Sequence, residues 1–151
     1  MLQLNVYEHS IGQNAHHVIF RTKYSLEFFR NPMLSAACEE FLRESAQKIE
    51  VKIYLIKMMT DHVHMLIEVP PVLSIVDVVK HLKGYTSRRF FARFSIWKNI
   101  VQVGHKRPHL WSRWRFSRSV GNVGSNVIEH YILNSKHNQF IIHKSKQAHF
   151  C

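Results

Sequence analysis

Between Lys57 and Pro71 the chain runs KMMTDHVHMLIEVPP, and its centre alternates with the period of a strand. Val63, Met65, Ile67 and Val69 fall on one face, and His62, His64, Leu66 and Glu68 on the other. The spacing predicts a half-buried strand with its apolar side inward. Same-face residues of a strand stand roughly 6.5 Å apart along the chain, so imidazoles at i and i+2 can lean together onto one divalent cation. His62 and His64 are therefore candidate metal ligands. Two polar residues on the wet face of an amphipathic strand would show the same pattern, and the rest of the chain must decide between these.

Upstream, Val51 to Met59 is apolar on both faces apart from Lys52 and Lys57, as a central strand would be. Only Thr60-Asp61 separates it from the histidine strand, so the two should pair as an antiparallel hairpin. Further back, Asn31-Pro32 offers a cap and a proline for a helix start. Leu34, Ala37, Cys38, Phe41, Leu42, Ser45 and Ile49 then form one buried helical stripe. His16 to Tyr24 reads as a first strand, with Val18, Phe20 and Thr22 on one face and Ile19, Arg21 and Lys23 on the other. Residues 1–14 show no period and read as a loose arm.

Downstream, Pro70-Pro71 ends the histidine strand, because proline cannot donate to the ladder. Ser74 with Asp77 three residues on starts a helix reaching to about Phe94. Its inner stripe is Ile75, Val78, Val79, Leu82 and Thr86, while Lys80, Lys83, Gly84, Ser87 and Arg88 gather on the opposite side. Residues 95–110 read as a loop. From Trp111 to Val120 the chain alternates again, with Arg113, Arg115, Ser117 and Ser119 on one face and Trp114, Phe116, Arg118 and Val120 on the other. Ser125 can cap a last helix, Asn126 to about Lys136, and 137–151 is a basic tail. The order predicts an α+β, ferredoxin-like β-α-β-β-α-β antiparallel sheet with an added C-terminal helix carrying Tyr131. A single domain over 15–136 accounts for it.

The chain of 151 residues carries 21 Lys and Arg against 10 Asp and Glu, a formal charge of +11. That excess points to a polyanionic partner, nucleic acid before a membrane surface. No apolar run is long enough to span a bilayer and no secretory pattern opens the chain, so the expected compartment is the cytoplasm. Cys38 and Cys151 have neither metal spacing nor a disulfide framework.

Tyr131 lies in Ile128-Glu129-His130-Tyr131-Ile132-Leu133-Asn134-Ser135, where a tyrosine is most often a core residue. Several segments together change that reading: Ile19 to Tyr24, Asp61 to Leu66 with Pro70-Pro71, His81 to Arg88, Leu110-Trp111-Ser112-Arg113, Ser119-Val120-Gly121 and Tyr131-Ile132. With them the chain resembles the single-tyrosine (Y1) transposases of the IS200/IS605 family, members of the HUH endonuclease superfamily. The pieces occur in the family's order and span most of the chain. The resemblance implies a transposase that cleaves and rejoins single-stranded DNA at insertion-sequence ends through a 5′-phosphotyrosine. In it, His62 and His64 would match the metal ligands for Mg²⁺ or Mn²⁺, and Tyr131 the nucleophile. It also implies a homodimer with shared active sites and recognition of imperfect DNA hairpins. The chemistry is consistent: a phenol of pKa about 10 is a poor nucleophile at neutral pH without electrostatic help at the phosphate.

One departure stands out. The family usually places a glutamine four residues after the tyrosine as third ligand, and this chain has Ser135, with Asn134 or Gln139 as substitutes. Lys80, Lys83, Arg88, Arg113 and Arg115 are the expected contacts to the nucleic-acid backbone, on electrostatic grounds. Two other readings stay open. One is a non-catalytic, degenerate nucleic-acid-binding protein of the same fold, in which His62, His64 and Tyr131 are structural. The other is an HUH nickase serving plasmid or phage replication.

Overall fold

The computed structural model describes residues 6–7, 10–11, 14–104 and 106–121. Strands β1 (Val6–Tyr7) and β2 (Ser10–Ile11) pair as a short antiparallel ladder inside the stretch read as an arm. β3 (Ala15–Thr22), β4 (Lys52–Met58), β5 (His62–Glu68) and β6 (Trp111–Gly121) form a four-stranded antiparallel sheet in the order β4-β5-β3-β6. Helix α1 (Pro32–Lys48) connects β3 to β4, and α2 (Ile75–Arg93) with the short α3 (Lys98–Val101) connects β5 to β6. This is the expected ferredoxin-like arrangement. The last helix and the tail lie outside the described residues.

Local chemistry starts both long helices. The Asn31 side chain accepts the Met33 N–H at 2.9 Å, with Pro32 in the first turn. Ser74 Oγ accepts the Asp77 N–H at 3.1 Å and donates to the Asp77 carboxylate at 2.6 Å. The helical stripes then meet one face of the sheet. Val18, Phe20, Val63, Met65 and Ile67 are sealed against Cys38, Phe41 and Leu42 of α1 and Val78, Leu82 and Phe90 of α2. Cys38 is a free thiol, and complete burial pushes its pKa well up, as for an inert core residue.

Several expectations change, among them that for residues 51–59: β4 is an edge strand and its residues are half-buried, because only β5 flanks it in the sheet. The histidine strand is not half-buried: β5 lies between β3 and β4, and His64, Leu66 and Glu68 on its second face are buried too. Ser87, read on the outer side of α2, turns inward and accepts the Leu110 N–H at 3.0 Å, so it holds the approach to β6. The first strand ends at Thr22, and Lys23–Ser25 is a tight turn with left-handed backbone at Tyr24 and Ser25. Within 95–110, a 3₁₀ turn at Ser95–Trp97 and α3 are ordered around buried Val101 and Leu110, which close one end of the core.

Candidate functional site

The histidines lie on the sheet face away from α1 and α2. Across the β3–β5 ladder Ile19 pairs with His64 and Arg21 with His62, whereas Val18 and Phe20, facing the helices, pair with Met65 and Val63. The His62 and His64 rings stand edge to face with centroids 4.9 Å apart. Each has an oriented Nδ1. That of His62 meets Asp61 Oδ1 at 2.6 Å, and that of His64 meets Nε2 of His17 at 3.4 Å, a long contact reinforced by stacking of the two rings at 5.6 Å. Burial, followed by the nearby Arg118 charge, lowers the His17 pKa to about 4, so it is neutral at pH 7. Below this cluster the Tyr54 hydroxyl donates to buried Glu68 at 2.6 Å.

Cations surround the pair. Arg21 is the cross-strand partner of His62, Lys57 of His64 and Arg118 of His17. Such a face attracts a phosphodiester electrostatically. Among the described residues, no group of three or more His, Cys, Asp and Glu is arranged to hold a metal. Tyr131, Ser135, Asn134 and Gln139 fall outside the described residues.

The expected backbone contacts assemble elsewhere. A groove of about 940 Å³ runs between α2 and β6, lined by Lys80, Lys83, Gly84, Arg113 and Arg115, and by Lys23, Lys106 and Arg107 from the flanking turns. Arg115 pairs with Phe20, whose side chain is in the helix-side core. The groove and the histidines therefore lie on opposite faces of one sheet. A Cβ at Gly84, which also lines the groove, would meet only Arg88 Nη1, at 3.4 Å, so packing within the described residues does not demand glycine there. Arg88 is exposed on the neighbouring turn and does not line the groove.

Lys83 departs from the expectation of an exposed contact. Its ammonium donates to the Ser112 and Trp114 carbonyls, both at 2.9 Å, and stands 5.2 Å above the Phe20 ring. Burial, then the charge of Arg115, lowers its pKa to about 8. It is a strut tying α2 to β6. Sequence reasoning missed His17, Arg21, Lys57 and Arg118 beside the histidines, and Lys23, Lys106 and Arg107 in the groove. The period-two pattern of β3 puts His17, Ile19 and Arg21 on one face, but which strand lies beside β3 is a tertiary fact.

Comparison with known proteins gives the family and agrees with the fold. A family model described as "Transposase IS200 like" matches residues 10–135. The chain is 29% identical over 126 residues to the transposase for insertion sequence element IS200 of Salmonella typhimurium, covering 82% of this chain and 78% of that one. It is 28% identical over 102 residues to the ISDra2 transposase TnpA of Deinococcus radiodurans, covering 68% and 69% of the two chains. The fold matches a crystal structure of a Deinococcus radiodurans R1 protein assigned as a transposase, with a TM-score of 0.68 at 24% identity over 93% of this chain and 97% of that one. It also matches the REP-associated tyrosine transposase solved with a REP hairpin, with a TM-score of 0.55 at 10% identity over 91% and 74%. No described helix is long and apolar enough to cross a membrane. With the family model spanning most of its length, the chain belongs to the IS200/IS605 family of single-tyrosine transposases.

Proposed function

We propose that this transposase cleaves and rejoins single-stranded DNA at insertion-sequence ends through a 5′-phosphotyrosine, with Tyr131 as nucleophile and a divalent cation, Mg²⁺ or Mn²⁺, held by His62 and His64. The observation that carries the reading is the pair of adjoining imidazoles on one face of the sheet, ring centroids 4.9 Å apart. The donor set suits such a cation. With Asp61 and His17 engaging the two Nδ1 atoms, Nε2 would be the ligating nitrogen of each ring. A carboxylate behind a ligating imidazole fixes its tautomer and raises its basicity. Ser135 or Asn134 would supply the third protein donor. When bound, the cation polarises the scissile phosphate and takes up charge that develops on it.

The chain's own groups do the rest. The Tyr131 oxygen forms a bond to phosphorus as its phenolic proton leaves to solvent, and the bond from phosphorus to the 3′-oxygen breaks. That oxygen takes a proton and becomes a free 3′-hydroxyl. Reversal by the 3′-hydroxyl of another strand forms the new phosphodiester and returns the proton to Tyr131, so joining needs no ATP. Arg21, Lys57 and Arg118 draw the reacting phosphate to the histidine face, and the groove cations hold the flanking backbone on the other side. DNA would then pass around the β6 edge of the sheet to reach both. Hairpin ends as the substrate, and a homodimer with shared active sites, belong to the same proposal; the REP-associated protein solved with its hairpin lends support to the first.

The test is a denaturing gel of labelled single-stranded DNA carrying the element end, with and without Mn²⁺. The parent should give a metal-dependent covalent band, absent from Tyr131→Phe and His64→Ala, with folding of both variants verified by circular dichroism. Tight binding by the parent with no band on an authentic end would favour the degenerate, binding-only reading and point to Ser135. Cleavage without joining of element ends would favour the nickase.

A further inference from the structure

The turn that follows β3 is held at both ends. The Thr22 N–H donates to the Asp61 carbonyl at 2.9 Å, the Lys23 N–H to that of Leu110 at 2.8 Å, and Thr22 Oγ1 to that of Leu26 at 2.7 Å. Between these anchors, Tyr24 and Ser25 adopt φ values of 59° and 54°. A residue with a Cβ is held there against its preference, and turn chemistry would favour Gly or Asn. Packing does not account for the tyrosine, because it is 62% exposed.

Its surroundings do. Lys23 Nζ lies 5.3 Å from the ring centroid, and both residues line the basic groove with Lys80, Lys106, Arg107 and Arg113. Cations that track a phosphate backbone beside an aromatic ring that offers a face to a base are the elements of a single-strand binding groove. A base within a duplex is already stacked on its neighbours and presents no free face. Strained, exposed and conjoined with cations, the ring is arranged for contact with something outside the chain.

We propose that Tyr24 is a stacking platform for an unpaired base of the DNA held in the groove, the residue through which this site tells unpaired from paired DNA. The proposal rests on the function and groove reading above and adds to them the residue behind a discrimination that cations alone do not provide. Because every base has a π-face, the contact tolerates any base.

The test is fluorescence anisotropy with two labelled probes, an oligothymidylate of about ten nucleotides, within the span of single-strand sites, and a blunt duplex of the same length. Tyr24→Asn removes the ring but keeps a residue that accepts the left-handed backbone. It should bind the oligothymidylate about tenfold more weakly, the size of one lost base stack, with unchanged duplex affinity and a melting temperature no lower than the parent's. Tyr24→Phe should bind as the parent does. Equal oligothymidylate affinity in Tyr24→Asn, or an equal loss on both probes, overturns the stacking role while Lys80→Glu still weakens binding to both. If Lys80→Glu also leaves both affinities unchanged, the groove is not the DNA site and the proposal falls with it.

Discussion

β3 and β5 carry two unlike faces on the same two strands. Toward the helices Val18, Phe20, Val63, Met65 and Ile67 join one apolar core. On the reverse, Ile19 and Leu66 are buried alongside His17, His64 and Glu68. Burial has opposite consequences on the two sides. Apolar area removed from water stabilises at roughly 25 cal/mol per Å², whereas a buried polar group costs unless it is paired. The second face meets that condition by pairing Tyr54 with Glu68, Asp61 with His62 and His17 with His64. A period-two strand can thus be the wall of a core on one side and carry a paired polar cluster, the candidate site, on the other, with damage to each side read by a different assay.

The sharpest contrast should come from the core. Leu82 is fully buried in α2, and Leu82→Ala should cost about 2–5 kcal/mol in urea denaturation. The comparison breaks if the same substitution leaves stability intact, or if it abolishes DNA chemistry at temperatures where the variant is still folded. On the other face, His17→Ala should weaken Mn²⁺ binding about tenfold, by titration calorimetry, through loss of the group that orients His64. His17→Gln should recover part of that affinity; equal affinities in all three proteins would show that the His17–His64 contact does not orient the ring.

A smaller effect belongs to Lys83, which spans the boundary between core and groove. Its pKa falls from 10.5 to about 8 in the folded protein. Between those values the unfolded chain binds the extra proton, so this group's contribution to stability rises with pH across the window, and its full penalty is present below pH 8. The stability difference between parent and Lys83→Met should therefore move in the parent's favour from pH 8 toward pH 10. A flat difference in urea midpoints over that range would contradict a buried ammonium.

Much of the fold was legible because its signals are local. Asn31-Pro32 and Ser74 with Asp77 announce helix starts within a few residues, and the helical stripes and the alternation of β5 follow from spacing alone. The histidine pair was visible for the same reason. What escaped depends on neighbours distant in sequence. His17, Arg21, Lys57 and Arg118 join the histidine face only through the order β4-β5-β3-β6, and the wet face assigned to His64 disappears once β5 becomes a central strand. Lys83 looked like another surface lysine, since nothing near it in sequence announces the Ser112 and Trp114 carbonyls. At Tyr24 an unbroken alternation concealed a turn whose left-handed backbone no Gly or Asn advertises.

The most direct measurement is proteolytic peptide mapping, by mass spectrometry, of the covalent species formed with single-stranded element-end DNA and Mn²⁺. If Tyr131 is the nucleophile, a nucleotide 5′-phosphate will be found on the peptide containing it, and no such peptide will come from His64→Ala. Attachment at another residue, or an adduct that persists without metal and without His64, would contradict that assignment.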